Sequence, residues 1–244
     1  VRAEQLTGLK ILGVMPIVNP REKKFDLEYL ESSLMEQSIS AIAVELKERK
    51  IDAFTKMIMV SSTKAEEGKT WCAFKLASKL SEIKGKVLFL YPQSVSEELN
   101  GIRGEHRLAD PSLEMKSYEI KRDFMNVESL NQLIGKQLEV SQFSFVIMEI
   151  PPLADHQLPL ELVKKMDMSL LVVRADRTWS DTDIHVTKLF SKASSFEPML
   201  VLNRVSLDHV KSIFGDIPKR KTGISPSLNS LRGKKGKESK SVEA

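Results

Sequence analysis

The sequence predicts a three-layer α/β fold, a central and mainly parallel sheet flanked by helices, on two observations. Six short apolar runs alternate with segments of helical spacing, and one run leads through a short loop into Gly68-Lys69-Thr70 and a helix-like stretch. Repeated strand–helix alternation implies parallel strands joined by right-handed crossovers, with ligands expected at the carboxyl ends of the strands.

The strand candidates are Ile11–Val14, Met57–Val60, Val87–Leu90, Phe145–Met148, Leu170–Val173 and Met199–Leu202. Each is short and almost continuously apolar, as a strand covered on both faces should be. Between them Glu31–Lys50, Trp71–Ile83, Val127–Val140 and Asp181–Ser194 carry helical periodicity. The stretch Tyr91–Met125 has weak periodicity and turn signals at Asn100-Gly101 and Asp110-Pro111, so it reads as a long surface excursion. The strand exits at Met57–Val60, Val87–Leu90 and Phe145–Met148 are expected to lie next to one another, with Lys69 and Glu149 on one edge.

At 244 residues the chain suits one domain with a sizeable core. A hydrophobic content of 41% and a charged content of 29% fit a globular protein, and no apolar run reaches the length of a membrane span. The chain opens on Val1 rather than Met, which suggests a piece of a longer protein; whether membrane helices precede Val1 the sequence does not say. Cys72 is the single cysteine, which excludes an internal disulfide and a cysteine metal cluster, and four scattered histidines show no ligand spacing.

The net charge of +4 is unevenly placed. From Lys219 to the end, eight basic residues stand against Glu238 and Glu243, which leaves the body of the chain at −2. Residues 1–218 therefore read as the folded domain, with 1–50 its N-terminal segment and helix, and 219–244 as a basic, disordered tail. Such a tail can contact an anionic membrane; nothing points to nucleic acid.

Ser61-Ser62-Thr63-Lys64-Ala65-Glu66-Glu67-Gly68-Lys69-Thr70 forms most of a phosphate-binding loop. Backbone N–H groups and the helix N-terminus cradle phosphate, lysine adds positive charge, and the Thr70 hydroxyl can ligate Mg²⁺. Thr63 stands where glycine is usual, and Glu66 and Glu67 bring negative charge beside a polyanion site. Strand, loop and helix together predict a P-loop NTPase-like fold.

With this loop, three landmarks follow one another and resemble the cytoplasmic domain of bacterial tyrosine kinases (BY-kinases) that act with polysaccharide co-polymerases. They are Ile11-Leu12-Gly13-Val14-Met15-Pro16; Phe145-Val146-Ile147-Met148-Glu149-Ile150-Pro151-Pro152; and Leu170-Leu171-Val172-Val173-Arg174 followed by Thr178 and by Val201-Leu202-Asn203-Arg204-Val205. The match runs from about Gly8 to Val205. The resemblance implies a nucleotide site of Thr63, Lys64, Ala65, Glu66, Glu67, Gly68, Lys69, Thr70, Trp71 and Asn203, with Lys69 as the catalytic lysine. It also implies a Mg²⁺ site of Thr70 and Glu149.

Departures from the family pattern redirect the functional expectation. The family's strand after the P-loop helix ends in Asp-x-Asp, whereas here it ends in Tyr91-Pro92-Gln93. A phenol is neutral at pH 7 and a poor Mg²⁺ ligand. Glu149 stands where the second acidic strand has Asp, Ala65 and Glu66 replace Pro and Gly, and Trp71 takes a position usually small or hydroxylated. The ring-forming helix has Glu36, Ile39 and Ile42 where the family has Glu and two arginines, and no tyrosine follows Tyr118.

The expected function is a degenerate BY-kinase-like domain at the cytoplasmic face of the bacterial inner membrane. It would serve exopolysaccharide biosynthesis as a scaffold or regulatory pseudo-kinase, partnered with a membrane polysaccharide co-polymerase or export machinery, and bind ATP or ADP with Mg²⁺ weakly. Two alternatives stay open. One is an active ATP-dependent tyrosine autokinase or ATPase that uses Glu149 and another carboxylate such as Asp110 or Asp155. The other is a ParA-like positioning ATPase, against which stand the Leu12–Pro16 segment and the lack of a second lysine at its usual early place in the loop, although Lys64 lies near it.

Overall fold

The computed structural model describes residues 2–17, 24–105, 111–206 and 208–210. A short helix α1 (Arg2–Thr7) leads into β1 (Ile11–Pro16), α2 (Lys24–Glu48), β2 (Lys56–Ser62), α3 (Lys69–Lys84), β3 (Val87–Pro92) and α4 (Ser96–Glu105). Then come β4 (Leu113–Tyr118), α5 (Leu130–Ile134), β5 (Phe145–Glu149), α6 (Leu160–Lys164), β6 (Met168–Arg174), α7 (Asp181–Ala193) and β7 (Met199–Val205). The strands form one seven-stranded sheet in the order β1-β7-β6-β2-β5-β3-β4, and every pairing is parallel.

All six expected strands are present, and β2, β5 and β3 are neighbours as expected. Their apolar continuity has the anticipated cause. Along β2, Ile58 and Val60 face one core while Met59 faces the other; along β3, Val87 and Phe89 alternate with Leu88 and Leu90. The core on the α2–α3 face takes Ile42, Phe74 and Leu80 from the helices, and the opposite core takes Leu130, Val163 and Phe190 from α5, α6 and α7.

Two sequence expectations are corrected. Tyr91–Met125 is not a surface excursion: it holds α4, with Asn100-Gly101 inside the helix, and the seventh strand β4. That strand lies at the sheet's edge and is half-exposed along most of its length, so it lacks the continuous apolar signature of the inner strands. The helix expected over Val127–Val140 shrinks to α5, because Gly135 adopts a left-handed conformation with φ 66° that ends it. The basic tail and Asp110 lie outside the described residues.

On α2, Ile39 and Ile42 are buried against the sheet, as two apolar residues at helical spacing should be, while the exposed Glu36 pairs with Lys79 at 3.0 Å. Between β1 and α2 the backbones approach closely: a Cβ on Gly13 would stand 2.2 Å from Ser38 Oγ and 3.1 Å from Ser38 Cβ. Gly13 therefore answers to lack of space rather than to an unusual dihedral.

Gly13→Ala is expected to destabilise the domain by about 1–3 kcal/mol through overpacking. The double variant Gly13→Ala/Ser38→Gly should lose less than the sum of the two single variants in a denaturant-unfolding cycle. Strict additivity would show that the two residues do not meet.

Candidate functional site

The parallel arrangement carries the ends of β2, β5, β6 and β7 to one edge, and four side-chain groups converge there on the loop Thr63–Thr70. Gly68 begins α3 with φ 84°, and no side chain caps the helix N-terminus. A Cβ on Gly68 would come within 2.1 Å of Asn203 Nδ2. Both the dihedral and the contact require glycine here. Glu66 holds φ 61° without being glycine, a conformation that costs a side-chain-bearing residue on the order of 1 kcal/mol.

Lys69 and Thr70, in the first turn of α3, both reach the end of β5. Lys69 Nζ lies 3.1 Å from Glu149 Oε1, and Thr70 Oγ1 donates to the same oxygen at 2.8 Å. Lys69 and Glu149 thus share one edge of the sheet, and the ion pair that a buried acid at this strand end could make is present. Tyr118, from β4, donates to the Glu149 carbonyl oxygen at 2.6 Å. Glu149 is fully buried, and its Oε2 has no hydrogen-bond partner among the described residues. Burial pushes its carboxyl above the usual range, and the Lys69 ammonium and the Thr70 hydroxyl only partly offset that rise. Burial also lifts the neighbouring Cys72 thiol to about 12, which leaves it protonated and unreactive at neutral pH.

The position of the missing carboxylate is occupied by an aromatic ring. Leu90 of β3 pairs with Met148 of β5, so Tyr91 follows in register beside Glu149 and on the α3 face. Its ring packs against Phe89 with centroids 5.5 Å apart. Gln93 is exposed in the turn beyond.

Glu67 departs from expectation. Its charge does not face a phosphate site: the residue is 2% exposed, and its carboxylate accepts from the Arg174 backbone N–H and pairs with Arg177 Nε. Arg177 also binds Thr63 Oγ1 at 2.8 Å and both carboxylate oxygens of Asp183, at 2.8 and 2.9 Å. Lys64 joins the cluster, with Nζ 2.9 Å from Ser180 Oγ and 3.2 Å from Asp183 Oδ2. Asp183 is fully buried; burial would raise its carboxyl, but the bonds from Arg177, Ser180 and Thr63 hold it well below the usual range.

The remaining candidates fall around this frame. Asn203 donates to the Glu67 carbonyl oxygen at 2.9 Å and accepts from the Arg204 N–H, tying β7 to the loop. Trp71 is half-buried with the Lys75 ammonium 5.5 Å from its ring centre, whereas Ala65 and Glu66 are exposed. Asp155 is exposed in the turn after Pro151-Pro152, next to Ala154, whose N–H donates to the Thr63 carbonyl.

Sequence reasoning did not find Arg177, Asp183 or Tyr118 as parts of the site. One local signal existed. The run Ser180-Asp181-Thr182-Asp183 marks a helix start, and Ser180 with Asp183 forms a capping box at the head of α7. That Asp183 also serves the loop follows only from the fold.

No family model matches the chain, and no curated protein matches it. Solved structures do. The kinase domain of Escherichia coli tyrosine kinase ETK superposes with a TM-score of 0.59 at 14% identity, covering 82% of this chain and 92% of that one. The chimerical protein CapA2B2 gives 0.62 at 16%, covering 84% and 98%, and the BceF tyrosine kinase domain gives 0.58 at 15%, covering 84% and 97%. At such identities the likeness is one of fold, and the fold is that of the BY-kinase-like P-loop domains.

Removing the charge of Asp183 leaves Arg177 and Lys64 short of a buried partner. Asp183→Asn is expected to cost about 3 kcal/mol at pH 7 by chemical denaturation. Because the folded carboxyl titrates below its ordinary value of 3.8, its contribution is present above that pH and is lost as pH falls toward the folded pKa. The gap between wild type and variant should therefore narrow below about pH 4.

Proposed function

We propose that this chain is a degenerate BY-kinase-like domain that binds nucleotide weakly and acts as a scaffold or regulatory pseudo-kinase. The observation that carries this reading is the pair of strand exits at the site: β5 ends in a single buried carboxylate, Glu149, and β3 carries Tyr91 beside it one residue before its end.

Phosphoryl transfer depends on positioning and on neutralising charge with metal and cations. Thr70 Oγ1 and the unpartnered Glu149 Oε2 are oxygen donors of the kind that suits Mg²⁺, and a bound Mg²⁺ would neutralise phosphate oxygens there. Tyr91 adds no second anionic ligand. Lys69, the one loop cation outside the Lys64–Asp183 cluster, pairs with Glu149 and must leave it to meet a phosphate. A bound nucleotide would thus compete with an existing charge pair, which lowers its affinity.

The sequence resemblance supports a reading of partner and place. The domain would be docked to a membrane polysaccharide co-polymerase or export machinery, at the cytoplasmic face of the bacterial inner membrane, in support of exopolysaccharide synthesis. The basic tail 219–244 supplies a contact for anionic lipid. Among the described residues no helix is long and apolar enough to cross a membrane.

Two assays test this reading. Incubation with labelled ATP and Mg²⁺ should leave the protein without stoichiometric tyrosine label; full labelling would establish an active kinase instead. Calorimetry with Mg-ADP should show weak binding that Lys69→Ala weakens by at least about ten-fold, since charge-assisted bonds are roughly twice as strong as neutral ones. Equal affinity in both proteins would place the nucleotide elsewhere.

A further inference from the structure

Arg177 lies on the link between β6 and α7, and each of its five N–H donors has an acceptor. Nε binds Glu67; Nη1 binds Asp183 Oδ2 at 2.9 Å and the Thr178 carbonyl at 3.1 Å; Nη2 binds Asp183 Oδ1 and Thr63 Oγ1, each at 2.8 Å. One planar group therefore joins the first residue of the loop, the residue before Gly68 and the head of α7. With its donors engaged, Arg177 is not itself arranged to hold a phosphate.

The sequence makes such a group necessary. Thr63 replaces the usual early glycine, so this end of the loop carries a side chain that must be placed, and Thr63 is fully buried. Glu67 carries a negative charge into a loop whose ligand would be a polyanion. A free carboxylate there would repel the ligand and compete with it for the loop's own N–H groups.

We propose that Arg177 is a positioning residue for the phosphate loop: it holds the Glu67 carboxylate turned away and neutralised, pins Thr63, and so gives a glycine-poor loop a phosphate-binding shape. The inference rests on the nucleotide-binding reading above for its functional consequence, but the shape of the loop can be tested without nucleotide. Lysine cannot substitute fully, because its three donors radiate from a single nitrogen while the guanidinium fork spans three partners.

The experiment uses the whole 244-residue chain as wild type, Arg177→Met, Arg177→Lys, Glu67→Gln and Arg177→Met/Glu67→Gln. Hydrogen exchange of the unliganded proteins reads the loop, and calorimetry with Mg-ADP reads the site. In Arg177→Met, amides of residues 63–68 should exchange roughly ten-fold faster while those of β2 and β5 keep their protection, with Arg177→Lys between the two. Mg-ADP affinity should fall by roughly ten-fold in Arg177→Met and recover most of that loss when Glu67→Gln is added. The single variant Glu67→Gln closes the cycle.

Loop amides that exchange at the wild-type rate in Arg177→Met would overturn the proposal. So would acceleration spread evenly through β2 and β5, the mark of general destabilisation, or an affinity loss that Glu67→Gln fails to recover. If wild type gives no heat with Mg-ADP, the nucleotide-binding reading fails, and the exchange rates alone decide whether Arg177 shapes the loop.

Discussion

Two carboxylates without solvent exposure, Glu149 and Asp183, sit at the carboxyl edge of the sheet, and the site is organised by what each needs for compensation. A buried anion is tolerated only when paired and hydrogen-bonded. Asp183 meets that condition fully, with Arg177, Lys64 and Ser180 around it. Glu149 meets it in part, with Lys69 and Thr70 sharing one oxygen and the other left unpartnered among the described residues. The difference divides the edge into a saturated half around Asp183 and an unsaturated half around Glu149. The two halves shift in opposite directions: Asp183 titrates below its ordinary value and Glu149 above it.

The same edge joins a polar cluster to an aromatic one. Gly68, Lys69, Thr70 and Glu149, the acid at the end of β5, meet there, with Lys69 and Thr70 sharing one Glu149 oxygen. Beside them, the Tyr91 ring packed on Phe89 extends the hydrophobic core to the end of β3. An aromatic there strengthens packing and gives up charge. Ile39 and Ile42 are buried in the same way, as apolar side chains with which α2 holds the sheet.

Much of the architecture was legible because buried parallel strands write themselves as apolar runs, and the loop motif marks one strand-to-helix junction. The adjacency of β2, β5 and β3 and the shared edge of Lys69 and Glu149 followed from those strand exits. Failure came where burial is partial or side chains act at a distance. β4 is an edge strand with Glu114 and Lys116 in it and reads as loop. Glu67 looks like a repulsive charge until the fold brings Arg177 to it from more than a hundred residues away. Sequence shows the sign of a charge but not the direction in which its side chain leaves the backbone.

That edge strand also bears on how the molecule avoids its own kind. The outer side of β4 offers backbone donors and acceptors to any extended segment that drifts against it, the usual route to sheet-to-sheet aggregation. Glu114 binds Lys116 at 2.8 Å and Lys86 at 3.3 Å, so the middle of the strand carries a small cluster of charges. An incoming strand would have to dehydrate that cluster before its backbone could pair. The charges that hid β4 in the sequence are thus the ones that guard this edge of the sheet.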